Sequence, residues 1–268
     1  MSKFLKEKYN DSEECLLISK IQDKIKFTKT KNKITYTDFL NIQERSIVEK
    51  FLKTENCKYF SYGGNENSER VIIVFYPEKI DEDMAKKNLQ NILSVIKIDN
   101  TKEEAYEHRV YLSAVMKLGL KREKIGDIIV NESGAEIVVF EENLGYILNG
   151  LQQLTRFRKS EFSVLNINEL SNHELKFEEY TIIVSSIRLD CFVSELAKCS
   201  RTKAEEYIEL GKVFINSVEE LKPSKKIIAG DIITIRGKGK FIFQNVIKET
   251  SESVFSVLWS SFNLPLSL

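Results

Sequence analysis

Net charge is the first thing this sequence lacks: 40 Lys plus Arg stand against 40 Asp plus Glu. A zero balance gives no overall attraction for nucleic acid or for an anionic membrane surface. Cysteine is scarce. Cys15, Cys57, Cys191 and Cys199 include no C-x-x-C pair, which argues against a zinc ribbon. Such usage fits a reduced, cytosolic chain, in which Cys191 and Cys199 pack rather than bond. No uncharged apolar run is long enough to span a bilayer. The start, MSKFLKEKYN, has no apolar core of a signal peptide. The expectation is therefore a cytoplasmic protein without a membrane partner. No Lys-Ser/Thr follows Gly63 and Gly64, so they read as a hairpin bend and not as a phosphate loop. A Gly-rich loop of the dinucleotide-binding kind is missing too. With no metal cluster and no nucleophile–base pair in view, the sequence predicts no catalytic residue, no cofactor and no small-molecule substrate.

What is present is uneven. From Arg188 to Lys248 there are 12 Lys plus Arg against 8 Asp plus Glu, a net of +4; the segment before it has 28 against 30, a net of −2. The basic excess is thus gathered in a C-terminal module.

Periodicity predicts an α+β chain of three small domains. Residues 1–85 form an N-terminal helical and hairpin domain. EECLLISKIQDKI and YTDFLNIQERSIVEKFL repeat apolar positions every three or four residues, with basic loops such as Lys29 to Lys33 between them. YFSYGGNENSERVIIVFYP then reads as strand, turn and strand, ending at Pro77. Residues 86–170 read strand, helix, strand, strand, helix, strand, the order of a ferredoxin-like, RRM-like βαββαβ domain. Its strand AEIVVF has only Phe140 as an aromatic, so bases are not expected to stack across that sheet. Residues 181–250 form the basic module, with two helices followed by strands.

In that module SRTKAEEYIELGK is a helix with Ser200 as N-cap and Gly211 as C-terminal stop. Arg201 and Lys203 oppose the dipole at its start. The free N–H groups there favour anions, and Ser200 and Thr202 add hydroxyls to the two cations. Arg236, Lys238 and Lys240 alternate with glycines in a second basic edge. The competing reading is an ordinary solvated face.

The stretch Arg188 to Phe241 closely resembles the small RNA-binding domain named after ribosomal protein S-four. That family's elements stand here in order as Arg188-Leu189-Asp190, Ser200 to Ala204, Gly211 to Asn216, and Gly230 to Ile232. The resemblance implies two helices on a small sheet, with the second helix presenting its start to structured RNA. The candidate RNA-binding residues are Arg188, Ser200, Arg201, Thr202, Lys203, Lys212, Arg236, Lys238 and Lys240, with Arg201 and Lys203 read as exposed. HRVYLSAVMKLGLKREKIGDIIV and SYGGNENSER resemble segments of the bacterial YlmH family, apart from Val110 and Ser113. His108, Arg109, Arg122 and Lys124 are possible secondary RNA contacts. The alternative is that His108 packs at a helix start and that Arg122 and Lys124 lie in a solvated turn.

The YlmH resemblance implies a non-catalytic, ribosome-associated RNA-binding protein. Its partners would be the large subunit, ribosomal RNA and tRNA, and its role the rescue or quality control of stalled translation. The chain is taken as a monomer, with Ser171 to Ser186 linking its RNA module to the rest. Two other readings stand beside it. One is an RNA-modifying enzyme of the pseudouridine synthase or methyltransferase type. The other is an interaction scaffold using Phe255, Leu258, Trp259 and Phe262.

Overall fold

The computed structural model describes residues 12–65, 68–100, 106–171, 177–216, 218–249 and 253–260. The chain divides into two compact units, Met1–His173 and Glu174–Leu268. The boundary expected near residue 86 falls inside the first.

In the first unit, α1 (Ser12–Lys31) buries Cys15, Ile18, Ile21 and Ile25 along one stripe. Glu13 and Glu14 in its first turn, with Lys29 and Lys31 in its last, suit the helix dipole. The expected loop from Lys29 is therefore mostly helix. It ends at Asn32, whose φ is 54°. A two-residue strand β1 (Thr35–Tyr36), which periodicity did not reveal, follows. α2 (Ile42–Leu52) opens with a capping box: Asn41 Oδ1 accepts from the Gln43 and Glu44 amides, and Glu44 accepts from the Asn41 amide. β2 (Lys58–Tyr62) and β3 (Ile72–Tyr76) complete a sheet of order β1-β3-β2.

After a short α3 (Glu82–Lys87) come β4 (Leu93–Asp99), α4 (His108–Met116), β5 (Ile125–Asn131), β6 (Gly134–Phe140), α5 (Glu141–Gln152) and β7 (Glu161–Asn166). Their sheet order is β5-β6-β4-β7, with every neighbouring pair antiparallel. This is the ferredoxin-like arrangement expected from the element order.

Both faces of this sheet are covered. On one, Ile96, Ile98, Ile137 and Val139 pack with Tyr111 of α4 and Ile147 of α5. On the other, Val95, Val138 and Phe140 pack with Phe39, Ile72 and Val74 from the N-terminal segment. Phe140 stacks on Tyr36 at 5.6 Å and meets Phe39 at 4.7 Å between ring centroids. Gly126 leaves room for the Phe39 ring, 2.8 Å from where a Cβ would stand. The face on which an RRM would stack bases is thus filled by the protein's own side chains.

The second unit comprises β8 (Phe177–Val184), α6 (Leu189–Leu196), α7 (Arg201–Glu209), β9 (Val213–Ile215), β10 (Val218–Glu219), β11 (Ile232–Ile235), β12 (Gly239–Glu249) and β13 (Ser253–Ser260). They form one sheet of order β10-β9-β11-β12-β13-β8. α6 and α7 bury Phe192, Val193, Ala204 and Ile208 against Val213, Ile233, Ile235 and Phe241. The module is wider than residues 181–250, because β8 and β13 belong to its sheet. Residues 177–184, expected in a linker, are one edge strand. Residues 253–260, read as a tail that either docks a partner or, more ordinarily, packs back on its own domain, run as a strand between β12 and β8. Phe262 lies outside the described residues.

Candidate nucleic-acid interface

The start of α7 is organised around a buried carboxylate. Asp190, in the first turn of α6, is 0% exposed. Arg188 reaches it with Nε and a terminal nitrogen, each at 3.0 Å. Arg201, the first residue of α7, reaches the same carboxylate at 2.8 Å and 2.7 Å. Burial alone pushes the Asp190 carboxyl up; the hydrogen bonds from the two arginines outweigh it and hold the carboxyl below its ordinary value. Arg201 therefore opposes its own helix dipole because a charge-assisted pair with Asp190 outweighs the repulsion. It is half exposed rather than free. Lys203 pairs with Glu206. Ser200 spends its hydroxyl on the cap, accepting from the Lys203 amide at 3.3 Å. Thr202 is exposed in the first turn.

The other signature residues also hold the fold. Gly211 has φ +65°, and a Cβ there would stand 2.2 Å from the Glu219 carboxylate. Asn216 donates to Asp231 at 2.7 Å and accepts from the Ile232 amide at 2.9 Å. Asp231 accepts from the Ile228 amide at 2.9 Å. These bonds tie the end of β9 to the start of β11, where Asn216 itself sits at φ 50°.

The nine candidates do not share one face. Ile233, Ile235 and Phe241 point to the helices, so alternation turns Thr234 and Lys240 to the opposite side. Phe214 shares that opposite side, and the Arg236 guanidinium lies 5.0 Å from its ring centroid. Lys203 and Lys212 both approach the Tyr207 ring, at 5.8 and 5.4 Å. Lys203 and Lys238 both act on the Cys199 thiol, though burial dominates and pushes that thiol up. Arg188, Ser200, Arg201, Thr202, Lys203 and Lys212 thus belong to the helix side, Arg236 and Lys240 to the other, and Lys238 stands exposed in the turn between β11 and β12. The expectation of a single surface is corrected by the two-residue strand period.

In the first unit the expected secondary contacts are mostly engaged internally. Arg122 donates to the Ile125 and Gly126 carbonyls at 2.6 and 3.0 Å. Lys124 pairs with Asp38 at 2.6 Å. Arg70, from the SYGGNENSER stretch, donates to the carbonyls of Ile125 and Phe39. Asp127 accepts from the Glu69 and Arg70 amides at 2.8 and 3.1 Å. Two sequence stretches more than fifty residues apart are stitched into one lock. Neither Arg122 nor Lys124 lies in a solvated turn. Arg109 is exposed and paired with Glu107.

His108 begins α4 with its Nδ1 buried and without a hydrogen-bond partner. Burial, aided by the nearby Arg122 charge, lowers its pKa from 6.5 to about 4. It is neutral at pH 7, packed rather than offered to phosphate. The unfolded chain takes up this proton near pH 6.5 and the folded chain only near 4. Stability from this group is therefore full above pH 6.5 and lost as the pH falls toward 4. We expect the urea midpoint of the first unit to fall across that window, and His108→Gln to flatten the fall. An unchanged pH profile in the variant would show that other groups carry it.

Residues 87–169 match a family model described as "Putative RNA-binding domain in YlmH". Over that stretch the chain resembles YlmH. It is 28% identical over 223 residues to "Ribosome-associated protein quality control protein P2" of Bacillus subtilis, covering 82% of this chain and 84% of that one. "Dual-specificity RNA pseudouridine synthase RluF" of Salmonella typhi is 37% identical over 54 residues, which is 20% of this chain and 18% of the enzyme. Among solved structures, "Cell division protein ylmH from Streptococcus pneumoniae" matches with a TM-score of 0.49 and 20% identity, over 60% of this chain and 96% of that one. No helix among the described residues is long and apolar enough to cross a membrane.

Proposed function

We propose that the protein is a non-catalytic RNA-binding protein that acts on the large ribosomal subunit, contacting ribosomal RNA and tRNA during quality control of stalled translation. The observation that carries this reading is the helix side of the second unit. There an S-four-type signature folds around the Asp190 clamp, with Thr202 exposed in the first turn of α7 and Lys212 exposed over the Tyr207 ring. Similarity to a ribosome-associated quality-control protein over most of the chain supports the assignment to the ribosome. The modifying-enzyme reading is weaker, since the pseudouridine synthase match spans only 18% of that enzyme.

Affinity supplied by phosphate contacts falls with salt. Neutralising about four phosphates gives a slope of log K against log salt near −3, at roughly 0.7–0.9 per phosphate. Filter binding of deproteinised large-subunit RNA across a salt series measures it. A flat dependence would show that apolar or base-specific contacts dominate. The same preparation, incubated with S-adenosylmethionine and analysed by nucleoside mass spectrometry, is expected to show no new mark. A new pseudouridine or methyl group would restore the enzyme reading.

A further inference from the structure

The cations of the S-four-like signature are largely committed: Arg188 and Arg201 to Asp190, and Lys203 to Glu206. A different set lies beside them. The loop from Lys222 to Lys226 packs its backbone on the start of α6. The carbonyls of Pro223 and Lys225 accept from the amides of Asp190 and Leu189, at 3.0 and 2.8 Å. Lys226 forms an isolated antiparallel bridge with Arg188, and the Ile227 amide donates to the Ile187 carbonyl. These bonds satisfy first-turn donors of α6 that Arg188, as N-cap, leaves without a side-chain partner. They also fix the loop next to the arginine pair. Lys222, Lys225 and Lys226 are exposed, and among the described residues none has an acidic partner within 4.0 Å. The Glu220 carboxylate accepts from the Lys222 amide at 3.0 Å, and three ammonium groups without an acidic partner at the edge of a two-arginine clamp still form a local excess of positive charge.

We propose that Lys222, Lys225 and Lys226 form a phosphate-binding edge of the second unit, extending the RNA surface from the α7 start past Arg188. This rests on the RNA-binding reading above. The fitting ligand is a run of backbone phosphates on structured RNA, since flexible ammonium groups on a fixed loop bind charge without reading bases. The free lysines supply affinity, and the clamp arginines hold the surface in shape.

The test uses the full chain and deproteinised large-subunit ribosomal RNA as probe, by filter binding from low to high salt. The triple Lys→Gln variant at 222, 225 and 226 is expected to bind about tenfold or more weakly near physiological salt, with the salt slope reduced by about 2. The triple Lys→Arg variant, which keeps the charge, is expected to bind like the unchanged chain. A control removes the same charge from α1 by changing Lys26, Lys29 and Lys31 to Gln. Thermal melting confirms that each variant folds, and the Lys→Arg series reads the proposal should the Gln variant melt early. Equal loss in the α1 control would reduce the effect to net charge and overturn the proposal. So would unchanged binding in the loop variant. Failure of the unchanged chain to bind any RNA would instead overturn the RNA-binding reading itself.

Discussion

Arg201→Glu is expected to lower the melting temperature of the second unit by roughly 10 °C or more, whereas Lys212→Glu leaves it within a few degrees. The difference follows from what each cation touches. Lys212 lies exposed over the Tyr207 ring. Arg201 closes the ion pair on a carboxylate that is 0% exposed. A buried charge stripped of a partner is far costlier than the net worth of the pair. Glutamate would add repulsion to that loss and leave Arg188 as the one remaining guanidinium on Asp190. Hydrogen exchange of the α6 and α7 amides should accelerate with the drop in melting temperature. A variant that melts like the unchanged chain yet loses RNA would show Arg201 to be a direct contact and not a structural one. The practical consequence is that Arg201 is a poor probe of RNA binding. Its loss weakens the surface by unfolding it, and Lys203, Lys212 and Lys238 are the cleaner positions.

Position 201 also shows what a sequence can and cannot reveal. The spacing of apolar residues located α1, α2 and α4 to α7 with the strands they pack on, because burial imposes a period on side chains wherever one face meets a core, but it left α3, β1, β8, β10 and β13 unread. Ser200 as cap and Gly211 as stop were readable for the same local reason. The partner of Arg201 was not. Asp190 lies eleven positions earlier, on another helix, and only the packing of α6 on α7 brings the two together. Lys240 was misplaced for a simpler reason. A basic residue near a strand end looks available from the sequence, but the facing direction is set by its register with Thr234 and Phe241. The lysines at 222, 225 and 226 went unnoticed because they belong to no signature element. What places them is backbone hydrogen bonding to α6, which leaves no trace in side-chain type.

The same reasoning applies to the boundary near residue 86, which composition and element order suggested but packing does not respect. Residues 86–171 expressed alone are expected not to fold cooperatively. The sheet β5-β6-β4-β7 has one face under α4 and α5, but its other face, with Val95, Val138 and Phe140, is covered by Phe39, Ile72 and Val74. Cutting at residue 85 removes that cover and the Arg70 side chain that fills the carbonyls of Ile125 and Phe39. Asp127 would lose both amide donors that now hold its carboxylate. A single change within the intact chain tests the same point more finely. Phe39 is 0% exposed between Phe140 and Gly126, and Phe39→Ala should cost about 3–5 kcal/mol through lost burial and the cavity left behind. Urea unfolding of Phe39→Ala, together with dye binding and amide dispersion for the fragment, reads both. A fragment with a sharp melting transition and dispersed amides would show that residues 86–171 stand as an independent domain. In that case Phe39 and its neighbours would be a removable cover over an otherwise stable sheet, and the loss in Phe39→Ala would fall well below the range expected of a shared core.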